Sequence, residues 1–381
     1  IASGVKMNAS DIHIDPQTDQ VSVRYRVDGI LQEGCRLPKE TELAMVSRIK
    51  IMSKLDIAER RIPQDGRIRV KIGTDDVDMR IATLPTLYGE KVVMRILDMG
   101  RVHVELEKLG FNEGNLNRYK KLLARPNGII LVTGPTGCGK TSTLYSSLSR
   151  INSVDRNILT IEDPIEVPIK GINQVQINIK AGLTFASGLR SFLRQDPNIV
   201  MVGEIRDLET AEIAIHAALT GHLVFSTLHT NDAPGALTRL IDMGVEPFLV
   251  SSAVIGVLAQ RLVRVICSDC KEEYKPSEAV LKGLGISSGK EDVKFYRGKG
   301  CLSCRQMGYS GRIGIMELMT MNDEIAGLVV TKAPVTAIRN AAIKAGMKVL
   351  REDGFNKVLE GITTPEEILR VTQEGAAIQV E

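Results

Sequence analysis

The stretch Ile129-Ile130-Leu131-Val132-Thr133-Gly134-Pro135-Thr136-Gly137-Cys138-Gly139-Lys140-Thr141 joins a short apolar run to a glycine-rich loop. The apolar run is rich in β-branched residues and predicts a buried strand, and the spacing of Leu144 and Leu148 predicts a helix after the loop. The loop itself matches G-x-x-x-x-G-K-[ST], in which backbone N–H groups surround a phosphate chain at the positive end of a helix. The sequence therefore predicts a nucleoside triphosphate site.

The residues of this loop have separate expected roles. Lys140 is expected to reach the β and γ phosphates, and the hydroxyl of Thr141 is expected to bind Mg²⁺. The residues expected to contact the nucleotide are Gly134, Pro135, Thr136, Gly137, Cys138, Gly139, Lys140, Thr141 and Ser142.

The composition of the chain excludes several classes of protein. Its 381 residues are 43% hydrophobic and 25% charged, which is typical of a globular protein with two or three domains. A net charge of +3, 4% aromatic residues and no tryptophan argue against a nucleic-acid-binding surface. No apolar run reaches the roughly 18 residues that span a membrane, and no secretory signal is visible. Because the chain opens on Ile1, we expect it to be part of a longer protein.

The first 99 residues alternate between apolar and polar side chains in several short segments, which predicts strands. A helical pattern over residues 39–55 interrupts them. The region 1–99 is therefore predicted to be a small α+β domain, followed by a connector over residues 100–110. The predicted strands are 11–15, 21–27, 67–72, 77–84 and 90–97.

From residue 111 onward, predicted strands alternate with helices, which is typical of an α/β fold with a mainly parallel sheet. These strands cover 129–133, 158–161, 199–202 and 223–227, and Asp207 is expected to cap a helix over 208–219. The predicted domains are 111–264, a cysteine-containing segment over 265–312, and a helical segment over 313–381. In the last segment, the expected helix caps are Thr331, Asp353 and Thr364.

Two glutamates follow predicted strands of this sheet. Glu204 comes directly after strand 199–202, and Glu162 follows strand 158–161. Parallel sheets bind ligands at the carboxyl ends of their strands, and hydrolysis of a triphosphate requires one carboxylate near Mg²⁺ and another to orient water. These two glutamates are expected to divide the two roles, and the residues alone leave open which of them takes which; Glu204 either contacts the metal through water or shares in activating water. His229 ends another strand at the same edge and is expected to sense the γ-phosphate, whereas His216 is interpreted as structural.

Four of the six cysteines form two C-x-x-C pairs, Cys267 with Cys270 and Cys301 with Cys304. Four thiolates complete a tetrahedral zinc site that has no open position for catalysis. Four free thiols are the alternative. A metal-holding cluster favours a reducing cytosol over a disulfide framework. Cys35 is expected to lie in the core.

Four motifs, in this order, resemble those of the secretion ATPases of bacterial type II secretion and type IV pili (GspE/PilB type). This resemblance implies a PAS-like N2 domain, then a RecA-like P-loop NTPase domain with a zinc-binding insertion and C-terminal helices. It also implies a cytoplasmic homohexamer at the inner membrane, whose ATP hydrolysis acts on a platform protein and, through it, on pilin or pseudopilin. The motifs are the P-loop 134–141, the Asp box 161–164, the segment 202–207 and the His box 221–230.

The same resemblance assigns Arg80 and Arg95 as arginines of the N2 domain that face the phosphates. It identifies Glu162 as the activator of water and Glu204 as the Walker-B residue that binds Mg²⁺, and the reverse assignment stays open. The segments 189–197 and 230–234 look closer to the pilus-assembly branch than to the type II secretion motor, which is the nearest alternative. A RecA-like nucleic-acid motor and a nucleotide-binding scaffold without turnover are the more distant alternatives.

Overall fold

The computed structural model describes residues 1–97, 104–283 and 293–372. The chain divides into two compact units, Ile1–Arg101 and Val102–Glu381. Parts of four predicted segments lie outside the described residues: 98–99 of the first domain, 100–103 of the connector, 284–292 of the cysteine-containing segment and 373–381 of the C-terminal segment.

The first unit is built on a six-stranded antiparallel sheet in the order β3-β2-β1-β6-β5-β4, with one longer helix, α2. Its buried residues, such as Ile12, Met79 and Met94, come from alternate positions along the strands. Its elements are α1 (Ala2–Lys6), β1 (Asp11–Pro16), β2 (Gln20–Val27), β3 (Ile30–Pro38), α2 (Glu42–Met52), β4 (Gln64–Ile72), β5 (Asp75–Thr86) and β6 (Gly89–Leu97).

Strand β3 is the one strand of this sheet that the sequence did not predict. It is an edge strand with no buried residue, so its sequence carries no hydrophobic alternation. Cys35 lies on β3 and is exposed, so the prediction that it belongs to the core is wrong. The alternating pattern reveals only strands that have one buried face.

The second unit contains the predicted parallel sheet. The elements that form and flank this sheet are α3 (Glu113–Leu123), β7 (Gly128–Thr133), α4 (Lys140–Ile151), β8 (Ile158–Glu162), β9 (Asn173–Gln176), α5 (Phe185–Phe192), β10 (Ile199–Val202), α6 (Leu208–Leu219), β11 (Leu223–Leu228), α7 (Ala233–Asp242), α8 (Pro247–Ala253) and β12 (Val254–Ile266). The remaining elements are β13 (Lys271–Tyr274), α9 (Glu278–Gly283), β14 (Phe295–Gly298), β15 (Tyr309–Thr320), α10 (Asp323–Val330), α11 (Val335–Lys344), α12 (Leu350–Leu359) and α13 (Pro365–Thr372).

The main sheet has seven strands in the order β15-β12-β7-β11-β10-β8-β9. All neighbours are parallel except β12 and β15, which pair antiparallel. Strands β7, β8, β10 and β11 are buried along their whole length because helices cover both faces. The α/β fold is confirmed, and the carboxyl ends of these four strands meet at one edge.

One of the three predicted caps in the C-terminal segment is wrong. Thr331 is the C-cap of α10, whereas Asp353 lies inside α12, where it is buried. The carboxylate of Asp353 accepts hydrogen bonds from Asn112, Lys357 and the backbone of Met316, so it serves tertiary packing instead of capping. Thr364 does cap α13, since its hydroxyl accepts from the backbone N–H of Glu367 at 3.2 Å.

Strand β15 starts before residue 313 and forms an edge of the main sheet, so the predicted helical segment begins with part of a strand. Among the described residues, none of the helices has the length and apolar character needed to cross a bilayer.

Candidate active site

The P-loop connects the end of β7 to the start of α4 at Lys140. Gly137 and Gly139 have φ angles of +79° and +89°, which residues with a Cβ rarely adopt. The Lys140 ammonium donates to the carbonyl oxygen of Gly134 at 2.8 Å and to that of Pro135 at 3.1 Å. Burial lowers the pKa of Lys140. The lysine therefore lies inside the loop that the sequence assigned to the phosphates.

Five side chains that the sequence singled out line one cleft of about 150 Å³ at the carboxyl edge of the sheet. Strands β8, β10 and β11 bring carboxylates and an imidazole to the edge where β7 continues into the P-loop. Phe185 and Met201 form part of its apolar wall. The five residues are Lys140, Thr141, Glu162, Glu204 and His229.

Glu162 is the most buried acid of this cleft, at 3% exposure. Its carboxylate accepts from the hydroxyl of Thr160 at 2.6 Å, the amide of Gln174 at 3.1 Å and the hydroxyl of Tyr145. Burial together with the hydrogen bond to Glu162 raises the pKa of Tyr145, so the phenol keeps its proton. Three donors hold the carboxylate in place, and a carboxylate has about four acceptor sites. One site is left over, which is what orienting a single water requires.

Glu204 lies closer to solvent and forms an ion pair with Arg206. Its other oxygen is 3.5 Å from Nε2 of His229. The hydroxyl of Thr141, the other predicted Mg²⁺ residue, donates to Glu166 at 3.3 Å. Thr141 and Glu204 line the same cleft and both carry oxygen atoms, the ligand type that Mg²⁺ prefers. These two residues therefore suit the metal of a nucleotide complex.

Arg80 and Arg95 belong to the first unit, on the adjacent strands β5 and β6. They are direct partners in register and so share one face of the sheet. The same row continues through Arg67 on one side and through Asp11 and Arg26 on the other. Nε of Arg95 donates to Asp11 at 2.9 Å, and 60% of the Arg95 side chain is exposed. The row concentrates positive charge, and contact of Arg80 and Arg95 with phosphate stays a prediction.

The four paired cysteines come together as predicted, with their sulfur atoms all within 4.8 Å of one another. The distances are 3.9 Å for Cys267 to Cys301, 3.8 Å for Cys270 to Cys304 and 3.6 Å for Cys301 to Cys304. A tetrahedron with Zn–S bonds of about 2.3 Å has edges of about 3.8 Å. The cluster therefore fits a zinc ion.

Several side chains of the site were not singled out from the sequence. Tyr145 and Gln174 hold Glu162, Arg206 holds Glu204, and Gln260 contacts the P-loop from β12. Two of these carried a signal: Arg206 belongs to the motif 202–207, and Gln260 is a polar residue within the apolar run that forms β12. Arg206 lies two residues after Glu204, within the segment 202–207, whereas Tyr145 and Gln174 are brought to Glu162 by tertiary folding.

A mainly parallel sheet with a P-loop after an inner strand, and acids at the edge where that strand ends, defines a RecA-like P-loop ATPase. The family model described as "Type II/IV secretion system protein" matches residues 1–370. The chain belongs to this family of secretion ATPases.

Individual relatives agree with the family match. The chain is 52% identical over 374 residues to the "Type II secretion system ATPase E" of Vibrio cholerae, covering 98% of this chain and 74% of that protein. It is 54% identical over 368 residues to the "Type IV pilus assembly ATPase PilB" of Thermus thermophilus, covering 96% of this chain and 41% of that one.

The fold also matches solved structures. The pilus retraction motor PilT with bound ADP superposes with a TM-score of 0.63 at 25% identity, over 98% of this chain and 95% of that one. The ATPase DotB of Legionella pneumophila superposes with a TM-score of 0.69 at 20% identity, over 96% and 92%, which supports the fold alone.

Proposed function

We propose that this chain is the motor ATPase of type IV pilus assembly, active as a ring of six at the cytoplasmic face of the inner membrane. In this role it hydrolyses ATP and moves an inner-membrane platform protein, which adds pilin subunits to the fibre. The observation that supports a motor is the cleft in which Lys140, Glu162 and Glu204 meet. The pilus branch is supported by the resemblance of segments 189–197 and 230–234 to that branch.

The chemistry of the cleft follows from its residues. The P-loop N–H groups and Lys140 bind the phosphates, and Thr141 and Glu204 would hold Mg²⁺, which neutralises charge on the phosphates. Glu162 orients the attacking water through the acceptor site that its three donors leave over. Because Glu162 is buried, bulk solvent screens its charge less, and the carboxylate therefore interacts more strongly with the attacking water.

We propose that Arg80 and Arg95 complete this site from the first unit. Guanidinium groups suit phosphate oxygens because they are planar, permanently charged donors. Their shared face on β5 and β6 lets one nucleotide meet both. Hydrolysis would then require the two units to close around the nucleotide, and this requirement would couple ATP hydrolysis to a conformational change.

The type II secretion motor is the second candidate, and the 52% identity to the Vibrio cholerae protein supports it. A complementation experiment separates the two. A host lacking its pilus-assembly ATPase and a host lacking its type II motor each receive the gene in its full-length form, with Lys140→Ala as the inactive control. Surface pili restored in the first host alone support our proposal, whereas restored exoprotein secretion alone supports the alternative.

A test of the ring needs only the purified protein. Light scattering with a non-hydrolysable ATP analogue should give a mass of six chains. A monomer under all nucleotide conditions would contradict the hexamer.

A further inference from the structure

Gln260 lies in β12 and is only 1% exposed, yet both ends of its amide are used. Its Nε2 donates to the carbonyl oxygen of Cys138 in the P-loop at 2.6 Å. Its Oε1 accepts from the hydroxyl of Thr143, in the first turn of α4, at 2.8 Å. One buried amide thus ties a strand, the loop and the helix that follows the loop.

The P-loop requires such a partner for a simple reason. A loop that turns its N–H groups toward phosphate turns carbonyl oxygens outward, and a buried carbonyl without a partner is unfavourable. The oxygens of Gly134 and Pro135 accept from Lys140, which has to turn to the phosphates when nucleotide binds. The oxygen of Cys138 is held by Gln260, which does not line the cleft.

The position of residue 260 also shapes both ends of the loop. A Cβ added to Gly134 would lie 2.5 Å from the backbone oxygen of Gln260, and one added to Gly139 would lie 3.1 Å from its side-chain Nε2. The loop therefore packs directly against this residue, and its glycines are required partly because Gln260 occupies the adjoining space.

We propose that Gln260 is a positioning residue that holds the P-loop in its phosphate-binding shape without touching the nucleotide. The amide is essential because it donates to a carbonyl and accepts from a hydroxyl at once. A carboxylate can only accept, and a leucine can do neither. Loss of the amide lets the loop leave the binding shape, so nucleotide has to restore that shape and binds more weakly. This inference concerns ATP binding alone and does not depend on the pilus assignment.

The experiment measures the Kd for Mg·ADP by calorimetry and the melting temperature without nucleotide. The variants are Gln260→Leu and Gln260→Glu. The matched control is Asn115→Leu, since Asn115 is a fully buried amide on α3 that donates to the backbone of Met316. Gln260→Leu should weaken binding about tenfold, because both hydrogen bonds of the amide are lost and the buried carbonyl oxygen of Cys138 is left without its partner. Gln260→Glu should weaken binding further, because its charge faces the Cys138 oxygen.

The control should lower the melting temperature and keep the Kd within twofold of the wild-type value. The proposal fails if Gln260→Leu also keeps its Kd within twofold while its melting temperature drops as in the control. If both Gln260 variants fail to fold, Thr143→Val against Thr143→Ser gives the same test from the other end of the amide. We expect severalfold weaker binding for the valine and near-normal binding for the serine, and equal binding by the two would overturn the proposal.

Discussion

Replacing Tyr145 by phenylalanine tests whether the position of the Glu162 carboxylate controls hydrolysis. The change removes one hydroxyl and leaves the ring, so the packing of this buried residue on α4 is kept. What is lost is the hydrogen bond that the phenol donates to Glu162 and the longer one, at 3.3 Å, that it accepts from the backbone N–H of Glu166. The other two donors, Thr160 and Gln174, remain.

The size of the effect follows from the charge of the acceptor. A hydrogen bond to a charged group contributes about 1.5–3 kcal/mol and a neutral one about 0.5–1.5 kcal/mol. Tyr145→Phe should therefore lower the free energy of unfolding by about 2 kcal/mol. Because two donors still hold the carboxylate, we expect kcat to fall only about tenfold, or about 1.4 kcal/mol in the barrier.

The assay is steady-state ATP hydrolysis with a separate measurement of Mg·ADP binding. Tyr119→Phe is the matched control, because Tyr119 is equally buried and its hydroxyl has, among the described residues, a single partner, the hydroxyl of Ser147 at 2.9 Å. The control should lose about 1 kcal/mol of stability and keep its kcat. Nucleotide binding should be unchanged in both variants. If Tyr145→Phe retains wild-type kcat, or if the control loses as much, the role assigned to the Glu162 position is refuted.

Three further predictions follow from the structure. Arg80→Ala should bind ATP almost normally and hydrolyse it about 10³–10⁵-fold more slowly; wild-type turnover would remove Arg80 from the mechanism. The purified protein should contain one zinc ion, and Cys35 should be its one fast thiol, because Cys138 is only 4% exposed. A melting temperature that survives chelation unchanged would contradict a structural metal. Burial alone would raise the pKa of Glu367, but Arg370 and Arg264 hold it below 4.5. A carboxyl whose pKa is lower in the folded than in the unfolded state stabilises the fold at pH values above its unfolded-state pKa. Glu367→Gln should therefore lower the free energy of unfolding by about 3–5 kcal/mol at pH 7. In urea titrations that difference should shrink as pH falls below about 4.5 toward the folded pKa; a pH-independent difference would be inconsistent with the ion pairs.

The agreement between sequence and structure differs by type of element. Strand β10 and helix α6 begin and end at the predicted residues, because a continuous apolar run and a capped periodic segment are local signals. The missed edge strand β3 and the wrong cap at Asp353 have one cause. Both depend on what the rest of the chain places beside them, and neither leaves a periodic pattern in the sequence.

The sequence by itself determined the P-loop, the acids that follow two strands and the four cysteines, since each is a local arrangement of residue types required by its chemistry. Only the tertiary structure decided which side chains support them. Gln260 reaches Cys138 across 122 positions, and Tyr145 reaches Glu162 across 17. Such partners are selected by the order of strands in the sheet and by the packing of α4 on it. That order depends on the burial of the whole unit, which no short motif encodes.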